Sequence, residues 1–436
     1  FFFRDLSAFR FRWVILEDGL EISEGTIPAL NTGPQQKKAF TVSYAGITFR
    51  PGREYFIIIS GLQDASDEII PVGHEVAWDQ FLIRTSEETA ALAGAEGEST
   101  AEGKSAAAGR STAAGTGSAA AAPLPAVPAG SLHVSDDSGS MTVSGDGFRF
   151  VFSRSDMLLS QIYDGETPLL QGSLTPDFWR SPTDPDLGNK MFEWAAVWKD
   201  AWKNATLEKS HYTLTENEII ISADYKSQNP HVNYSINYTV TASGEISILF
   251  NFDPADMTLP PVPRLGFRAT LSDDFRYMKY YGKGPHETYR DRQTSGKMGV
   301  YAFSVTDQEF PYVRPQEFGN RTEVRWVSLL DGDGRGLVAY GPEPLSVSAW
   351  QYAPDDLGFV PDPRGVASAS GLVPVPSKHA SDLFPSGLIT WNIDYMQMGL
   401  GGDTSWGRHV HDEYKIPAKK YSYGFTLKTV NGNNKQ

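Results

Sequence analysis

A glycine-rich turn that ends in a tryptophan is the part of this chain best suited to bind a ligand. It spans residues 399–408 and reads Gly-Leu-Gly-Gly-Asp-Thr-Ser-Trp-Gly-Arg. Glycines adopt positive φ and let the backbone approach a ligand, while Asp403, Thr404 and Ser405 offer hydrogen-bonding oxygens. With the flat ring of Trp406, the turn is typical of a surface that binds a sugar. The alternative is a tight hairpin whose tryptophan fills the local core.

Two pairs of carboxylates are candidates for acid–base chemistry. They are Asp184 with Asp186, and Glu287 with Asp291. Hydrolysis of a glycosidic bond normally requires two carboxylates about 5–10 Å apart on opposite sides of that bond. Both pairs lie among arginines in turn-forming sequence, so local ion pairs are the more common explanation.

The segment His409-Val-His411-Asp-Glu413 is a candidate metal site. Alternating strand positions would place both imidazoles on one face with carboxylates nearby. No third histidine lies close in the sequence, so the alternative is a solvated strand. The chain has no cysteine, which excludes a cysteine nucleophile and thiolate zinc sites. It also lacks a phosphate-binding glycine loop and a Gly-x-Ser-x-Gly elbow.

The composition restricts the class of partner. A formal net charge of -15 over 436 residues argues against nucleic acid and anionic membrane surfaces, since both require a basic face. No apolar run is long enough to span a bilayer. The chain begins at Phe1 without a methionine, and we expect it to be an internal piece of a longer protein.

The elements that must position these residues are predicted to be almost entirely strands. Residues 1–85 contain about seven short alternating runs, including residues 40–44, which indicate an immunoglobulin-like β-sandwich. Residues 86–131 are rich in Ala, Gly, Ser and Pro and are predicted to be a flexible linker. A sandwich of this first kind is usually a spacer, so we expect the binding site elsewhere.

Residues 132–436 continue the β pattern and predict one large antiparallel β-supersandwich. Residues 232–240 alternate apolar and polar positions, turn at Ala-Ser-Gly, and resume at residues 246–252, which predicts a hairpin with one buried face. Met191, Trp194, Trp198 and Trp202 recur at helical spacing, so we expect one short helix or a coiled loop there.

Three segments in the second part of the chain resemble, in the same order along the sequence, segments of a known family. They begin at Tyr281 (Tyr-Gly-Lys-Gly-Pro-His-Glu-Thr-Tyr-Arg-Asp-Arg), Pro311 (Pro-Tyr-Val-Arg-Pro-Gln-Glu-Phe-Gly-Asn-Arg) and Trp391 (Trp-Asn-Ile-Asp-Tyr-Met-Gln-Met-Gly-Leu-Gly-Gly-Asp-Thr-Ser-Trp). They resemble the C-terminal β-sandwich, of the small-chain type, of bacterial β-galactosidases of glycoside hydrolase family 2. The segment of residues 177–188, and the first domain around Trp13, are also similar to that family. The resemblance therefore covers everything except the linker.

The resemblance implies a retaining β-galactosidase that cleaves β-D-galactosides such as lactose with two glutamates on a (β/α)8 barrel. The chain shows no βαβ alternation, so we expect those glutamates, and any Mg or Na, to lie outside it. Trp406 matches the family's tryptophan that stacks on substrate, with Gly402, Asp403 and Ser405 beside it. Gly188 matches the glycine at the start of a mobile loop that closes on galactose, so the resemblance implies that residues 187–192, including Asn189, move. The resemblance assigns no chemistry to Glu317, Asn320 or Arg321, and we take them as hydrogen-bonded scaffolding.

Two other functions stay open at this point. One is a separate small subunit, or sugar-binding module, that completes a catalytic chain. The other is an oligomerisation domain in which Trp406 is buried. The expected partners are a β-galactoside, a (β/α)8 domain of the same or a companion chain, and further copies in a homo-oligomer. The resemblance implies a bacterial cytoplasm or periplasm without choosing between them.

Overall fold

The computed structural model describes residues 3–66, 69–95, 132–215, 217–256, 258–361, 367–368, 371–372, 374–404 and 407–432. The chain divides into two compact units. One contains the described residues up to 95 together with Met298–Val300, and the other contains the remaining described residues. The predicted all-β class is confirmed, since nearly all regular elements are strands in antiparallel sheets.

The first unit is built on an antiparallel sheet in the order β2-β1-β3-β4. Its strands are β1 (Phe9–Glu17), β2 (Leu20–Ile27), β3 (Tyr55–Gln63) and β4 (Glu75–Arg84). The predicted Asp-Gly turn joins β1 to β2, with Asp18 at φ 47° and Gly19 at φ 79°. Two successive positive φ values match the twist of the flanking strands, which explains why this dipeptide closes the hairpin.

The sequence predicts about seven strands in this unit, whereas its described residues form four. Residues 40–44 are not a strand, and the side chains of Phe40 and Tyr44 are exposed. The alternation of apolar and polar residues in this segment therefore does not correspond to the buried face of a sheet. The predicted linker begins with helix α1 (Ser86–Ala95), and residues 96–131 lie outside the described part of the chain.

The second unit contains a five-stranded sheet and a twelve-stranded sheet among its described residues. The five-stranded sheet consists of β5 (His133–Asp136), β6 (Ser140–Gly145), β7 (Phe148–Ser153), β8 (Leu159–Asp164) and β9 (Thr167–Pro168). The later strands are β10 (Thr175–Asp177), β11 (Ala205–Leu214), β12 (Glu218–Gln228), β13 (His231–Thr241), β14 (Glu245–Pro254), β15 (Arg264–Ser272), β16 (Tyr277–Gly284), β17 (Lys297–Ser304), β18 (Arg321–Leu330), β19 (Gly336–Trp350), β20 (Phe359–Pro361), β21 (Ala367–Ser368), β22 (Gly371–Leu372), β23 (Pro374–Pro376), β24 (Leu388–Gln397) and β25 (Tyr421–Val430). Strands β20 with β23, and β21 with β22, form two small separate pairs, and the others build the twelve-stranded sheet.

The predicted hairpin is confirmed as β13 and β14. Val240 pairs with Ile246, and Ile236 pairs with Phe250. The side chains of these four residues are fully or almost fully buried, as strict alternation with one covered face requires. The described helices of this unit are α2 (Asp184–Gly188) and α3 (Met191–Trp194), followed by a 3₁₀ turn at Ala196–Trp198. The predicted short helix is thereby confirmed.

The helical segment packs on the hydrophobic core of the large sheet. Met191, Ala195 and Trp198 are completely buried, and the Trp198 ring packs against Phe178 and Phe252. No helix in the described residues is long and apolar enough to cross a membrane.

Candidate functional site

The order of three strands brings two distant segments together. Strand β15 lies between β10 and β24, and both pair with it antiparallel. Strands β10 and β24 therefore run in the same direction and end at the same edge of the sheet, opposite the start of β15. The chain after β10 leads into α2, and the chain after β24 leads into the glycine-rich turn. The topology thus places the two predicted loops side by side.

Arg180 connects these two segments. Its guanidinium donates to both carboxylate oxygens of Asp186, at 2.9 and 2.8 Å, and to the main-chain oxygens of Met398 and Gly399, the latter at 2.9 Å. Both charged side chains are fully buried. Asp186 also accepts hydrogen bonds from the Thr183 amide and hydroxyl, which caps the start of α2. A bidentate, fully hydrogen-bonded pair of this kind fixes geometry strongly.

Asp291 holds the first half of the glycine-rich turn. Its carboxylate accepts hydrogen bonds from the amides of Leu400, at 3.0 Å, and Gly401, at 2.7 Å. A Cβ atom on Gly399 would lie 2.6 Å from the Asp291 carboxylate, so only glycine fits there. The turn therefore begins from a fixed backbone.

Gly407 fixes the other end of the turn against the predicted mobile loop. It has φ 82°, and a Cβ atom there would lie 2.0 Å from the carbonyl carbon of Gly188 and 2.6 Å from the amide nitrogen of Asn189. The two backbones are in direct contact, which no residue with a side chain allows. Gly402 approaches the same region, because a Cβ atom there would lie 3.9 Å from Pro185 Cγ.

The remaining predicted site residues divide between exposed and buried positions. Asp403 is half exposed and contacts the imidazole of His411 at 2.8 Å. Gly188 is exposed, whereas Asn189 is buried and accepts a hydrogen bond from the Trp194 indole at 3.1 Å. The predicted ligand-binding residues Ser405 and Trp406 lie outside the described residues.

All four candidate carboxylates have structural partners, but only Asp186 and Glu287 form the ion pairs with neighbouring arginines that the alternative explanation predicts. Asp186 binds Arg180, and Asp184 pairs with the Arg314 guanidinium. Glu287 accepts hydrogen bonds from the Tyr312 hydroxyl at 2.6 Å and the Gly319 amide at 2.8 Å, and it pairs with an arginine.

The predicted metal segment does not form a strand. His409 contacts the Trp194 ring, with 5.5 Å between ring centroids, while His411 contacts Asp403. No group of three or more His, Asp or Glu side chains suited to bind a metal occurs in the parts of the chain that the structure describes. The prediction that both imidazoles lie on one strand face and bind a metal is therefore wrong. The segment is not a strand, and each imidazole contacts a different partner.

The second resemblance segment supplies buried scaffolding, as expected. Asn320 donates to the main-chain oxygen of Thr288 at 2.9 Å and accepts from the Ser346 hydroxyl at 2.9 Å. Arg321 donates to the Tyr280 hydroxyl at 3.1 Å. These bonds join β16, β18 and β19, so they position strands rather than reacting groups.

Charged side chains form a mostly buried cluster around Arg264. Arg264 lies 2.6 Å from Glu317 and 3.6 Å from both Asp177 and Asp394, while Arg268 pairs with Asp177. Three carboxylates therefore face two guanidinium groups. Neither oxygen of Asp394 has a hydrogen-bond partner among the described atoms. Burial raises the pKa of the Asp394 carboxyl well above its ordinary value, despite the nearby Arg264.

This raised pKa predicts a pH-dependent stability. The folded state holds the proton more tightly than the unfolded state, so the contribution is fully present below about pH 4 and is lost as pH rises through the folded pKa. Relative to the wild type, Asp394→Asn is expected to become more stable with rising pH by up to about 1.4 kcal/mol per pH unit. Urea unfolding of both proteins at several pH values measures this difference. Parallel profiles would show that Asp394 is ionised in the folded protein.

Arg180, Asp291 and Gly407 position the glycine-rich turn, and the sequence did not predict these roles. Arg180 lies in the segment 177–188 and Gly407 in the turn 399–408, but the sequence assigns neither of them a role. Asp291 is predicted only as an acid–base candidate. A signal for Gly407 existed, because it follows the tryptophan in a glycine-rich turn. Nothing in the local sequence connects Arg180 or Asp291 to residues more than a hundred positions away.

Comparisons with known proteins show which family this chain belongs to. Residues 1–84 match the family described as β-galactosidase, domain 4, and residues 144–427 match the family described as β-galactosidase small chain. The chain is 30% identical to a β-galactosidase of Priestia megaterium and 23% identical to one of Pseudoalteromonas haloplanktis. Each match covers 98% of this chain and 37% of the relative, so the chain spans just over a third of their length. The chain therefore belongs to the β-galactosidase family and corresponds to the C-terminal part of such a protein.

Proposed function

We propose that this chain is the non-catalytic C-terminal portion of a retaining β-galactosidase of glycoside hydrolase family 2. The complete protein would hydrolyse terminal β-D-galactosides such as lactose. In this proposal Trp406 stacks on the leaving sugar, and Gly402, Asp403 and Ser405 lie beside it. The 30% identity to a β-galactosidase over almost the whole chain supports the activity of the complete protein.

The anchoring of the glycine-rich turn is the observation that carries the proposed role. Arg180 and Asp291 bind its first residues, and Gly407 packs against Gly188 at its end. Between these fixed points, Gly402, Asp403 and Thr404 are exposed. A turn with a rigid stem and an exposed tip orients its binding groups before a ligand arrives, which reduces the entropy lost on binding.

We place the catalytic glutamates outside this chain. Its candidate carboxylates are engaged in ion pairs or in hydrogen bonds to main-chain amides, which would compete with proton transfer to a substrate. A (β/α)8 domain of the same or a companion chain would supply them, together with any Mg or Na. Gly188 and Asn189 would move as a loop when galactose enters, and until then the contact of Gly188 with Gly407 would hold the end of the turn in place.

A complementation experiment tests this proposal. Hydrolysis of a chromogenic β-galactoside is measured with this chain alone, with a barrel-containing portion alone, and with their mixture. Activity is expected only in the mixture. A mixture with Trp406→Ala is expected to bind glucose, the leaving sugar of lactose, about tenfold more weakly and galactose almost unchanged. Product-inhibition constants for the two sugars measure this difference.

Trp406→Phe is the matched control, because it keeps a flat ring and should retain most glucose binding. Equal losses for glucose and galactose would contradict stacking on the leaving sugar. Activity in the chain alone would show that one of its own carboxylate pairs is catalytic. The size of the polypeptide that carries activity in cells distinguishes a single long chain from the alternative, a separate small subunit.

A further inference from the structure

We propose that the second unit binds a neutral oligosaccharide in a pocket separate from the glycine-rich turn. The pocket has a volume of about 820 Å³ and lies beside the segment that contains α3. Pockets for small organic ligands typically have volumes of about 300–1,000 Å³. Within the described parts of the turn, residues 399–404 and 407–408, no residue lines it. Gly402 and Asp403, the described residues of the proposed leaving-sugar site, therefore lie outside this pocket.

The helical segment and the turn after it build one wall of the pocket with side chains that are not fully buried. Met191, Ala195 and Trp198 face the core. The pocket-lining residues of the same segment are Phe192, Ala196, Lys199, Asp200, Trp202 and Lys203. Phe192 is partly buried and is not part of the core cluster, whereas the Trp202 ring also packs against the core. The segment therefore presents Phe192 and part of Trp202 to the pocket.

Four aromatic side chains line the pocket. They are Trp179, Phe192, Trp202 and Phe359, and each is only partly buried. Partly exposed rings gathered in a concave site leave apolar area in contact with water. The C–H faces of a pyranose ring are apolar and flat, so they cover such rings well, while its edges carry hydroxyl groups. A sugar matches both parts of this lining.

The charges of the pocket favour a neutral ligand. Its lining contains four cationic groups and four carboxylates. Lys203 pairs with Asp200 at 3.0 Å, and Lys378 pairs with Asp356 at 3.0 Å. Arg268 pairs with Asp177.

Two charged groups remain available to a ligand. Lys199 and Asp355 line the pocket, and both are exposed. Neither has a side-chain partner within the described ranges of the chain. One ammonium donor and one carboxylate acceptor suit hydroxyl groups, which both donate and accept hydrogen bonds. An anionic ligand would meet the carboxylates, and a cationic ligand would meet the lysines.

Binding of cellotriose and maltotriose to the complete protein tests this site. Neither trisaccharide carries a terminal galactose, and the Trp406→Ala background removes the proposed leaving-sugar contact. We expect at least one of them to bind, as measured by saturation-transfer NMR and tryptophan fluorescence. Trp202→Ala is expected to weaken that binding about tenfold.

Trp326→Ala is the matched control variant. Like Trp202, Trp326 is partly buried and has a lysine ammonium 5.9 Å from its ring centroid, but it does not line the pocket. Binding should be unchanged in Trp326→Ala. Asp355→Ala provides a second test that does not depend on removing a packed ring, because Asp355 is exposed; it should weaken binding several-fold.

Failure of both trisaccharides to bind would overturn the proposal. Binding that is equally strong in Trp202→Ala, Asp355→Ala and the wild type would also overturn it. Tighter binding of a sulfated trisaccharide than of its neutral counterpart would exclude the neutral class. None of these results depends on galactoside hydrolysis, so they are separate from the complementation experiment.

Discussion

Arg180→Met is expected to destabilise the protein by about 3–5 kcal/mol, because it leaves the carboxylate of Asp186 buried without its partner. The pair is completely buried, and the guanidinium also binds the main-chain oxygens of Met398 and Gly399. Removing one member of such a pair leaves an uncompensated charge in a region of low dielectric constant. The decrease in the free energy of unfolding is measured by urea denaturation.

Arg314→Met is the matched control for this variant. Arg314 pairs with Asp184, which lies in the same helix α2, but both side chains are about half exposed. An exposed pair contributes at most about 1 kcal/mol, so this change should have a small effect. Adding Asp186→Asn to Arg180→Met removes the unpaired charge and keeps an oxygen that caps α2. It is expected to recover at least about 1–2 kcal/mol.

A small effect of Arg180→Met, similar to that of Arg314→Met, would contradict the assigned role. It would mean that water or another group reaches Asp186 when the guanidinium is removed. The double variant separates the two contributions, since it restores charge balance without restoring the contacts to Met398 and Gly399. Any stability that it fails to recover is therefore attributable largely to the link between α2 and the glycine-rich turn.

Gly407→Ala is expected to destabilise the protein by about 2–4 kcal/mol and to displace the glycine-rich turn from Gly188. Two costs combine at this position. Alanine is strained at the observed φ of 82°, and its Cβ atom would lie 2.0 Å from the carbonyl carbon of Gly188. Neither atom is at the flexible end of a side chain, so the two backbones must separate.

Gly387→Ala separates these two costs. Gly387 has φ 79°, almost the same as Gly407, but a Cβ atom there would have no heavy atom within 4 Å. It should therefore lose only about 1–2 kcal/mol from backbone strain. Urea unfolding of both variants gives the difference, and glucose binding by the complemented enzyme reports whether the turn has moved. Equal effects of the two substitutions would show that the contact with Gly188 is relaxed at little cost.

The alternation of apolar and polar residues predicted strands correctly where one face of the strand is buried. It failed where the alternating side chains are exposed. The alternation in β13 and β14 was sufficient, because the alternating apolar residues face the core and Leu249 is the one large apolar side chain of these two strands that is exposed. Residues 40–44 alternate in the same way without forming a strand, because a strand needs a neighbour that accepts its hydrogen bonds. The same limit applies to His409 and His411, which were expected on one strand face and instead contact different partners.

The sequence by itself determined the fold class, the family and the glycines of the turn, because each depends on residue types and short spacings. Only the tertiary structure decided which distant segments meet. Asp177 of β10 and Asp394 of β24 both pair with Gly266 of β15, so the chain after each strand leaves the same edge of the sheet. Strand order is fixed by the packing of residues more than two hundred positions apart, and no local pattern encodes it. The roles of Arg180 and Gly407 follow from that order.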